Sequence, residues 1–471
     1  MKEMRDFLKK CEEEGVLKRI TAEVDWNLEL SHIATLNEQK RGPVLLFENV
    51  KGYDIPVVTS AFTTPKKLAI GLGMPTDKTM SQMAKEWMQL TTKQLIPPKK
   101  VSDGPVMETV VEGDDVNLFD FPAPQFYPKD GGRFIGTAHY IITKDPDTGW
   151  VNLGTYRSQI LDDKTIGIQI IKGKHADFML QKYKKMGKPM PAASVIGCDP
   201  IMFLVSSTLV SAETSEYDIV GALRGEPVEI IESDLTGLPI PANAEIVLEG
   251  FIDPNNFREE GPFGEYTGYY SGKAGEELPK PCMEVKRILR RKKPIFWATS
   301  VGKPVNDTHM IQSLNRTATL WTDLETMRVP GIQSVYIPPE STGRFWAIVS
   351  VKQMYPGHSM HVGTAVISTT TGHYGLKGVI VVEEDIPADD MTKVWWALST
   401  RYDPRRSTQI INRGRSTPLD PALPIDAREI VSRIIMDACI PFEWKKKPIE
   451  IMLDEETVKK VESRWSELGL E

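Results

Sequence analysis

The sequence predicts a chain of mixed class, α+β giving way to α/β, in three stretches. These are a mixed α/β region over 1–105, a β-rich middle over 106–300 forming a partly closed barrel with helical insertions, and an α/β region over 301–471 ending in a helix. Three observations carry this. Apolar residues near the start recur at helical spacing and give way to short strand-like runs. From about Val110 to Pro294, short β-type segments alternate with turn signals. In the last third, strands alternate with helical stretches, as α/β layers require.

In chain order, Met4, Phe7, Leu8 and Cys11 mark one face of a first helix that Gly15 can stop. Val44–Phe47 and Ile55–Val58 read as short strands, and Thr64-Pro65 as an N-cap followed by proline in the first helical position. The Pro-rich stretch from Ile96 to Pro105 reads as a linker. In the middle, strands are expected over Ala138–Thr143, Val151–Gln159, Ile166–Ile171, Ser194–Cys198, Val228–Ile231, Glu245–Phe251 and Pro281–Leu289. Turns such as Asp145-Pro146-Asp147-Thr148-Gly149 separate several of them. Helices interrupt near Ala176–Met186 and Glu216–Leu223, the arrangement of a barrel with insertions. Later strands are expected over Ser334–Ile337, Trp346–Val351, Gly378–Val382 and Gln409–Ile411. A final helix starting near Asp454 carries Val458, Val461, Trp465 and Leu468 on one face. Such a stripe usually packs on its own core, with a subunit contact as the alternative.

Composition narrows the function. The 471 residues are 41% hydrophobic and 26% charged, with 64 acidic and 57 basic side chains and a net charge of −7, ordinary for a soluble protein of two or three domains. Basic clusters such as Lys99-Lys100, Arg290-Arg291-Lys292-Lys293 and Lys445-Lys446-Lys447 border predicted elements and read as solvated faces, so no nucleic acid is expected. Four scattered cysteines (Cys11, Cys198, Cys282 and Cys439) with no CxxC pair speak against disulfides and zinc and for a reducing cytoplasm. The charged N-terminus lacks a signal-peptide core, and no apolar run approaches the roughly 18 residues of a membrane span. There is no GxGxxG after a strand, no Walker loop, no HExxH and no GxSxG, so nicotinamide, ATP and serine-hydrolase readings lose ground.

Three places could carry chemistry. In Glu259–Tyr270, three glycines, a proline and separated carboxylates suit neither a regular helix nor a central strand. If Glu260 and Glu265 face one cavity, both cannot ionise freely, and one is held protonated as an acid. A tight turn with solvated glutamates is the other reading. In Asn152-Leu153-Gly154-Thr155-Tyr156-Arg157, an arginine could grip a carboxylate, and Gly154 allows the bend that would turn Asn152 and Arg157 to one side. Arginines on strands are more often surface ion-pair partners. His175 and Glu216 each open a predicted helix, and with Asn152 they offer one nitrogen and two oxygen ligands, a set suited to Mg2+ or Mn2+ beside a phosphate. Their spacing follows no metal rule, and each also reads as a cap or a satisfied polar group.

EGPFGEYTGYYS with NLGTYR about a hundred residues before it resembles the UbiD-like (de)carboxylases that use prenylated FMN. Further matching pieces are DGGRFIGTAHYIITKDPDTGWVNLGTYRSQI, TSEYDIVGALRGEP, and KGVIVVEEDI followed by WWALSTRYDP. Within the family the likeness is to the catalytic subunit of hydroxyarylic acid decarboxylases. The resemblance implies a UbiD-like fold, with a central split β-barrel that binds the flavin. It implies a reversible carboxy-lyase acting on an aromatic, hydroxyaromatic or α,β-unsaturated acid, with Arg157, Glu260 and Glu265 catalytic. Glu265 would donate the proton, while Arg157, paired with Glu260, orients the substrate carboxylate. Asn152, His175 and Glu216 would hold Mn2+ or Mg2+ on the flavin phosphate. Thr155, Tyr156, Arg157, Gln169 and Lys377 would contact the cofactor, and K+ or Na+ would sit near Ser206 and Thr208. His309 lies in a stretch that often lines the substrate pocket, although a histidine there is more often an ordinary surface or core residue.

The chemistry favours such a cofactor. Losing CO2 from an sp2 carbon leaves an in-plane anion that side chains cannot delocalise. The implied partners are a small carboxylic acid, CO2, a flavin prenyltransferase that makes the cofactor, and further copies of the chain as a dimer or hexamer. Rival readings are a non-catalytic or scaffold flavin-binding subunit of a larger carboxylase, and a metal-dependent hydrolase built on His175 and Glu216.

Overall fold

A computed structural model describes residues 1–91, 94–208, 210–271 and 278–470. The chain begins with the helix Met4–Glu13, which buries Met4, Phe7, Leu8 and Cys11. Gly15 then takes a left-handed conformation, and the Val16 N–H closes back on the Cys11 carbonyl at 2.8 Å. A four-stranded sheet follows, in the order Leu17–Ile20, Val44–Phe47, Val57–Thr59 and Phe296–Trp297. Its last strand comes from far along the chain and pairs parallel with Val57–Thr59. Thr64 caps the helix Pro65–Leu72 by accepting from the Lys67 N–H, as Thr64-Pro65 predicts.

The stretch from Ile96 to Pro105 is not a free linker. Lys99 and Val101 donate to the carbonyls of Val228 and Ile230 (2.8 and 2.9 Å), and Ile96 donates to Asp218 O (3.2 Å). This fastens Lys99–Lys100 parallel to the strand Glu229–Glu232, which leaves the proline-rich backbone few donors to satisfy elsewhere.

The middle of the chain builds a nine-stranded, mainly antiparallel sheet. In order along it stand Phe134–Gly136, Ser158–Ile160, Thr165–Ile168, Leu278–Arg290, Ile246–Glu260, Met190–Ile196, His139–Lys144 and Val151–Gly154, with Thr109–Glu112 also paired to Leu278–Arg290. The longest pair, Ile246–Glu260 against Leu278–Arg290, is kinked by irregularities at Glu249/Gly250 and between Ile252 and Phe257. Gly250 is required at the first, because a Cβ there would lie 1.9 Å from the Glu284 carbonyl. The curl leaves the two ends of the sheet to be bridged by short crossings, Thr137–Ala138 and Thr155–Arg157. The single strand expected over Val151–Gln159 is therefore two strands, one near each end of the sheet. At Gly154 a Cβ would lie 2.3 Å from the Tyr156 ring, so only glycine lets the chain fold back there. Both sheet faces are buried. Ile142, Ala193, Val195 and Val247 enter a core that runs from Met4 to Cys439, while Ile141, Ala192, Leu248 and Val285 enter a second with Phe134 and Phe263.

The last third forms a five-stranded sheet ordered Ile332–Tyr336, Trp346–Val351, Gly378–Glu383, Ile430–Ala438 and Thr408–Arg415. Its three inner strands run parallel and the outer two antiparallel. Helices Asp307–Thr326, His358–Ser368 and Met391–Thr400 accompany it. The final helix spans Glu455–Glu462, capped by Asp454 on the Thr457 N–H, and buries none of its residues. Val461, Trp465 and Leu468 stand 38%, 48% and 48% exposed, so the expected packing of this stripe on its own core does not occur. No helix among the described residues is long and apolar enough to cross a membrane.

Candidate active site

The glycine-rich segment leaves the end of the strand Ile246–Glu260 and is tied down almost residue by residue. The Gly261 N–H donates to Gln159 Oε1 (2.7 Å), the Phe263 N–H to Ser271 Oγ (3.1 Å) and the Gly264 N–H to Asp130 Oδ1 (3.0 Å). Gly131 N–H donates to Pro262 O (2.8 Å), and a Cβ on Gly131 would lie 1.9 Å from the Gly261 carbonyl. A tight turn from Glu265 to Gly268 closes with Gly268 left-handed at φ +82°. Phe263 packs on Phe134 with ring centroids 4.5 Å apart. Asp130 accepts two backbone donors here, Tyr127 and Gly264, yet burial raises its carboxyl to about 6. The loop is a rigid carrier for Glu260 and Glu265.

Arg157 arrives from the Thr155–Arg157 crossing and meets both glutamates. Its Nε and Nη2 donate to Glu260 Oε1 and Oε2 at 2.9 and 3.1 Å, a bidentate fork, and its Nη1 donates to Glu265 Oε1. Gln169 Oε1 (3.4 Å) and Ser271 Oγ (3.5 Å) complete the arrangement, with the guanidinium 4.7 Å from the Phe263 ring centroid. The Glu260 side chain is fully buried and those of Arg157 and Glu265 nearly so. Burial opposes the charge on Arg157, but Glu265 and Glu260 outweigh it and raise its pKa. Burial raises Glu265 above the usual carboxylate range, and this outweighs the pull of Arg157. One guanidinium cannot fully compensate two buried carboxylates, so Glu265 is the one suited to hold a proton.

A second group gathers at the opposite sheet end. His175 Nδ1 lies 3.1 Å from Asn152 Oδ1, and Glu216 Oε2 accepts the Leu153 N–H at 2.8 Å. Trp150 packs edge-on against His175, 4.8 Å between ring centroids. Glu216 is 2% exposed, has no cationic partner among the described residues, and is lifted to about 8 by burial. Burial, then Lys174, lowers His175. Among the described residues no three His, Cys, Asp or Glu side chains cluster as a metal site, and this trio depends on an amide oxygen for its third donor. A buried carboxylate with no counter-charge beside an imidazole and an amide oxygen is nevertheless a donor set that fits a divalent cation.

Thr155 Oγ1 lies 2.9 Å from Ser207 Oγ and 3.2 Å from Ser206 Oγ, while Thr208 Oγ1 donates to Leu204 O at 3.0 Å. Tyr156 is buried, its hydroxyl accepting from the Ala176 N–H (3.4 Å) and its carbonyl 2.9 Å from His139 Nε2. Lys377 Nζ donates to Asp420 Oδ1 (2.5 Å) and lies 4.5 Å from the Phe345 ring centroid, and it makes no hydrogen bond or ion pair with Asn152, His175 or Glu216. His309 has both ring nitrogens engaged: Nδ1 accepts from the Asn306 N–H (3.2 Å) and Nε2 meets the Tyr266 carbonyl (2.6 Å). Burial drops it to about 4, so it stands neutral and ties the loop to a helix N-terminus without presenting a free nitrogen to a pocket.

Some residues at the site carry no sequence signal. Lys280 is lowered by burial despite the nearby charges of Glu260 and Glu265, and Asp130, Gln159 and Ser271 hold the loop. Their roles arise from pairings across the sheet that no local spacing reveals.

Three stretches of the chain match the 3-octaprenyl-4-hydroxybenzoate carboxy-lyase family: its N-terminal domain at 8–87, its Rift-related domain at 99–304 and its C-terminal domain at 309–438. The chain is similar to vanillic acid decarboxylase of Sedimentibacter hydroxybenzoicus in its open form, with 31% identity, coverage of 99% of this chain and 98% of that one, and a TM-score of 0.89. Against the closed form of the same enzyme the TM-score is 0.83. The UbiD-class enzyme HmfF of Pelotomaculum thermopropionicum, in complex with FMN, shares 29% identity over 97% of this chain and 98% of that one, with a TM-score of 0.88. Apo 3,4-dihydroxybenzoic acid decarboxylase of Klebsiella pneumoniae shares the fold at 23% identity and a TM-score of 0.85, over 98% of this chain and 99% of that one.

Proposed function

Starting from a chain that belongs to the UbiD family of 3-octaprenyl-4-hydroxybenzoate carboxy-lyases, we propose that it releases CO2 reversibly from an aromatic, hydroxyaromatic or α,β-unsaturated acid, using Arg157, Glu260 and Glu265. The observation that carries this is a single buried guanidinium shared by two carboxylates on a rigid loop. Prenylated FMN, when bound, supplies the electron sink that no side chain offers to the in-plane electron pair left by CO2. Asn152, His175 and Glu216 would hold its phosphate through Mn2+ or Mg2+, with K+ or Na+ beside Ser206 and Thr208. Thr155, Tyr156, Gln169 and Lys377 would contact it.

The chain's own residues do the rest. Arg157 draws in the substrate carboxylate with Nη1, which Glu260 leaves free and which a protonated Glu265 releases. Glu260 keeps the guanidinium charged and oriented by the fork on its other edge. Glu265, whose pKa burial raises above the ordinary carboxylate range, is the carboxyl suited to carry a proton and deliver it to the carbon that CO2 leaves. His309 acts through the loop: its bond to Tyr266 O positions the residue next to Glu265.

All four cysteines are free and buried, which supports residence in a reducing cytoplasm. A flavin prenyltransferase is the partner that would supply the cofactor. The test is CO2 release from a panel of aryl, hydroxyaryl and enoic acids by protein co-produced with such a transferase. Protein made alone should be inactive, holding plain FMN or none. Full turnover by flavin-free protein would refute the reading.

A further inference from the structure

Beyond Glu265 stands a second group of charges that the proposed chemistry does not use. Arg316 lies on the helix Asp307–Thr326, two turns after His309 and on its face. It makes no hydrogen bond and no ion pair with any described residue. Arg344 donates from Nη1 to the Tyr266 hydroxyl at 2.9 Å and lies 5.5 and 5.3 Å from the ring centroids of Tyr266 and Tyr374, while its buried Nε has no acceptor among the described residues. Lys174 stands in the turn before His175, its ammonium in no ion pair with a described residue, and Arg344 and Arg316 are the charges that bear on it.

No carboxylate among the described residues faces Arg316 or Lys174; the groups that bear on Arg316 are Arg344, Tyr266 and Tyr374. Burial, reinforced by Arg344, pushes the Arg316 guanidinium down to about 9. The side chains are nonetheless reached by solvent, Arg316 and Arg344 partly and Lys174 openly. Holding like charges together without a counter-ion costs stability, so the arrangement is better explained by a ligand than by folding. Tyr266 follows Glu265 in the chain, which sets this patch one tyrosine side chain from the proton donor. Guanidinium groups in that position suit an oxyanion, carboxylate or phosphate, by bidentate hydrogen bonds.

We propose that the acid acted on here carries a second anionic group, and that Arg316 and Arg344, with Lys174 at the rim, bind it while Arg157 grips the carboxylate that leaves. This rests on the decarboxylase reading for the second half of that statement; the anion site stands on its own geometry. It makes simple monocarboxylic acids poor ligands and acids with a distal carboxylate or phosphate good ones.

The test is calorimetric binding to FMN-loaded protein of benzoate, benzene-1,4-dicarboxylate and 4-phosphooxybenzoate, repeated with Arg316→Gln and Arg344→Gln. The doubly anionic acids should bind roughly 10- to 100-fold more tightly than benzoate, and each substitution should erase most of that preference. The dicarboxylate and phosphate arms identify which oxyanion is favoured. Arg316→Gln should retain FMN and, having removed an uncompensated charge, melt no lower than wild type without ligand. Equal affinity for benzoate and both dianions would overturn the proposal. So would loss of FMN from Arg316→Gln, which would assign the patch to the cofactor phosphate. If dianions bind with the expected preference but no acid releases CO2 after reconstitution, the anion site survives and the decarboxylase reading fails.

Discussion

Arg157 has one positive charge to share between Glu260 and Glu265, and the geometry divides it unequally: a fork to Glu260 and a single contact to Glu265. Glu265→Gln should keep the shape of the site, retain FMN, and lower CO2 release by roughly 10²- to 10⁴-fold, the usual loss when a general acid is removed. Because the proton donor is the neutral acid and burial raises its pKa, kcat should fall as pH climbs through a value above the ordinary carboxylate range. A profile flat across that range would deny Glu265 its role. Arg157→Lys keeps the charge but loses the fork, so it should fail to restore turnover. The glycine-rich loop and its glutamates were legible because three glycines and a proline interrupt any regular pattern. Arg316, Arg344 and Lys280 were not, since an isolated cation in a helix, strand or turn carries no sign that its partners are missing. Only the folded surroundings reveal that.

At the scale of elements, the break of Val151–Gln159 into two strands escaped the sequence because Thr155, Tyr156 and Arg157 are as compatible with a strand as their neighbours. What bends the chain is the curl of the whole sheet, with Gly154 as the one local sign. The loop that carries the glutamates depends on Asp130, and Asp130→Ala leaves the Tyr127 and Gly264 N–H groups without their acceptor. That should destabilise the protein by about 1–3 kcal/mol in denaturant titrations and reduce kcat without removing any reacting group. Buried groups also set the pH response. His139 and His309 are both lowered by burial from 6.5 to about 4, so each contributes stability that is lost as pH falls through that interval. Glu38, raised by burial and by Asp307 from 4.5 to about 8, works in the opposite direction: stability is lost as pH rises through that window, because the folded form keeps a proton that the unfolded form gives up. Above 6.5 the histidines are neutral in both states and add nothing further to the pH dependence. The melting temperature of metal-free protein should therefore decline from pH 6.5 to 8, and Glu38→Gln should lessen the decline.

For the whole molecule, a mixed class with a half-closed barrel in its middle was legible from the alternation of short strands and turns, while the fate of the last helix was not. An amphipathic stripe announces that it will be covered but not by what. Here Val461, Trp465 and Leu468 remain exposed, and Ile449, Ile451, Met452 and Leu453 before them are 77–98% exposed, an apolar segment interrupted by Glu450 that a lone protein rarely leaves open. The protein should therefore run as a dimer or larger assembly in light scattering, and Trp465→Glu should shift it toward monomer. A wild-type monomer would show the segment to be free.

The strand Phe296–Trp297 lies parallel to Val57–Thr59 and completes the first sheet of the chain. During synthesis, that sheet must wait on the ribosome until nearly two-thirds of the polypeptide has emerged. A nascent chain halted before residue 296 should thus present an unfinished edge to chaperones and proteases, and the N-terminal region should gain protease resistance only once that late strand has cleared the exit tunnel.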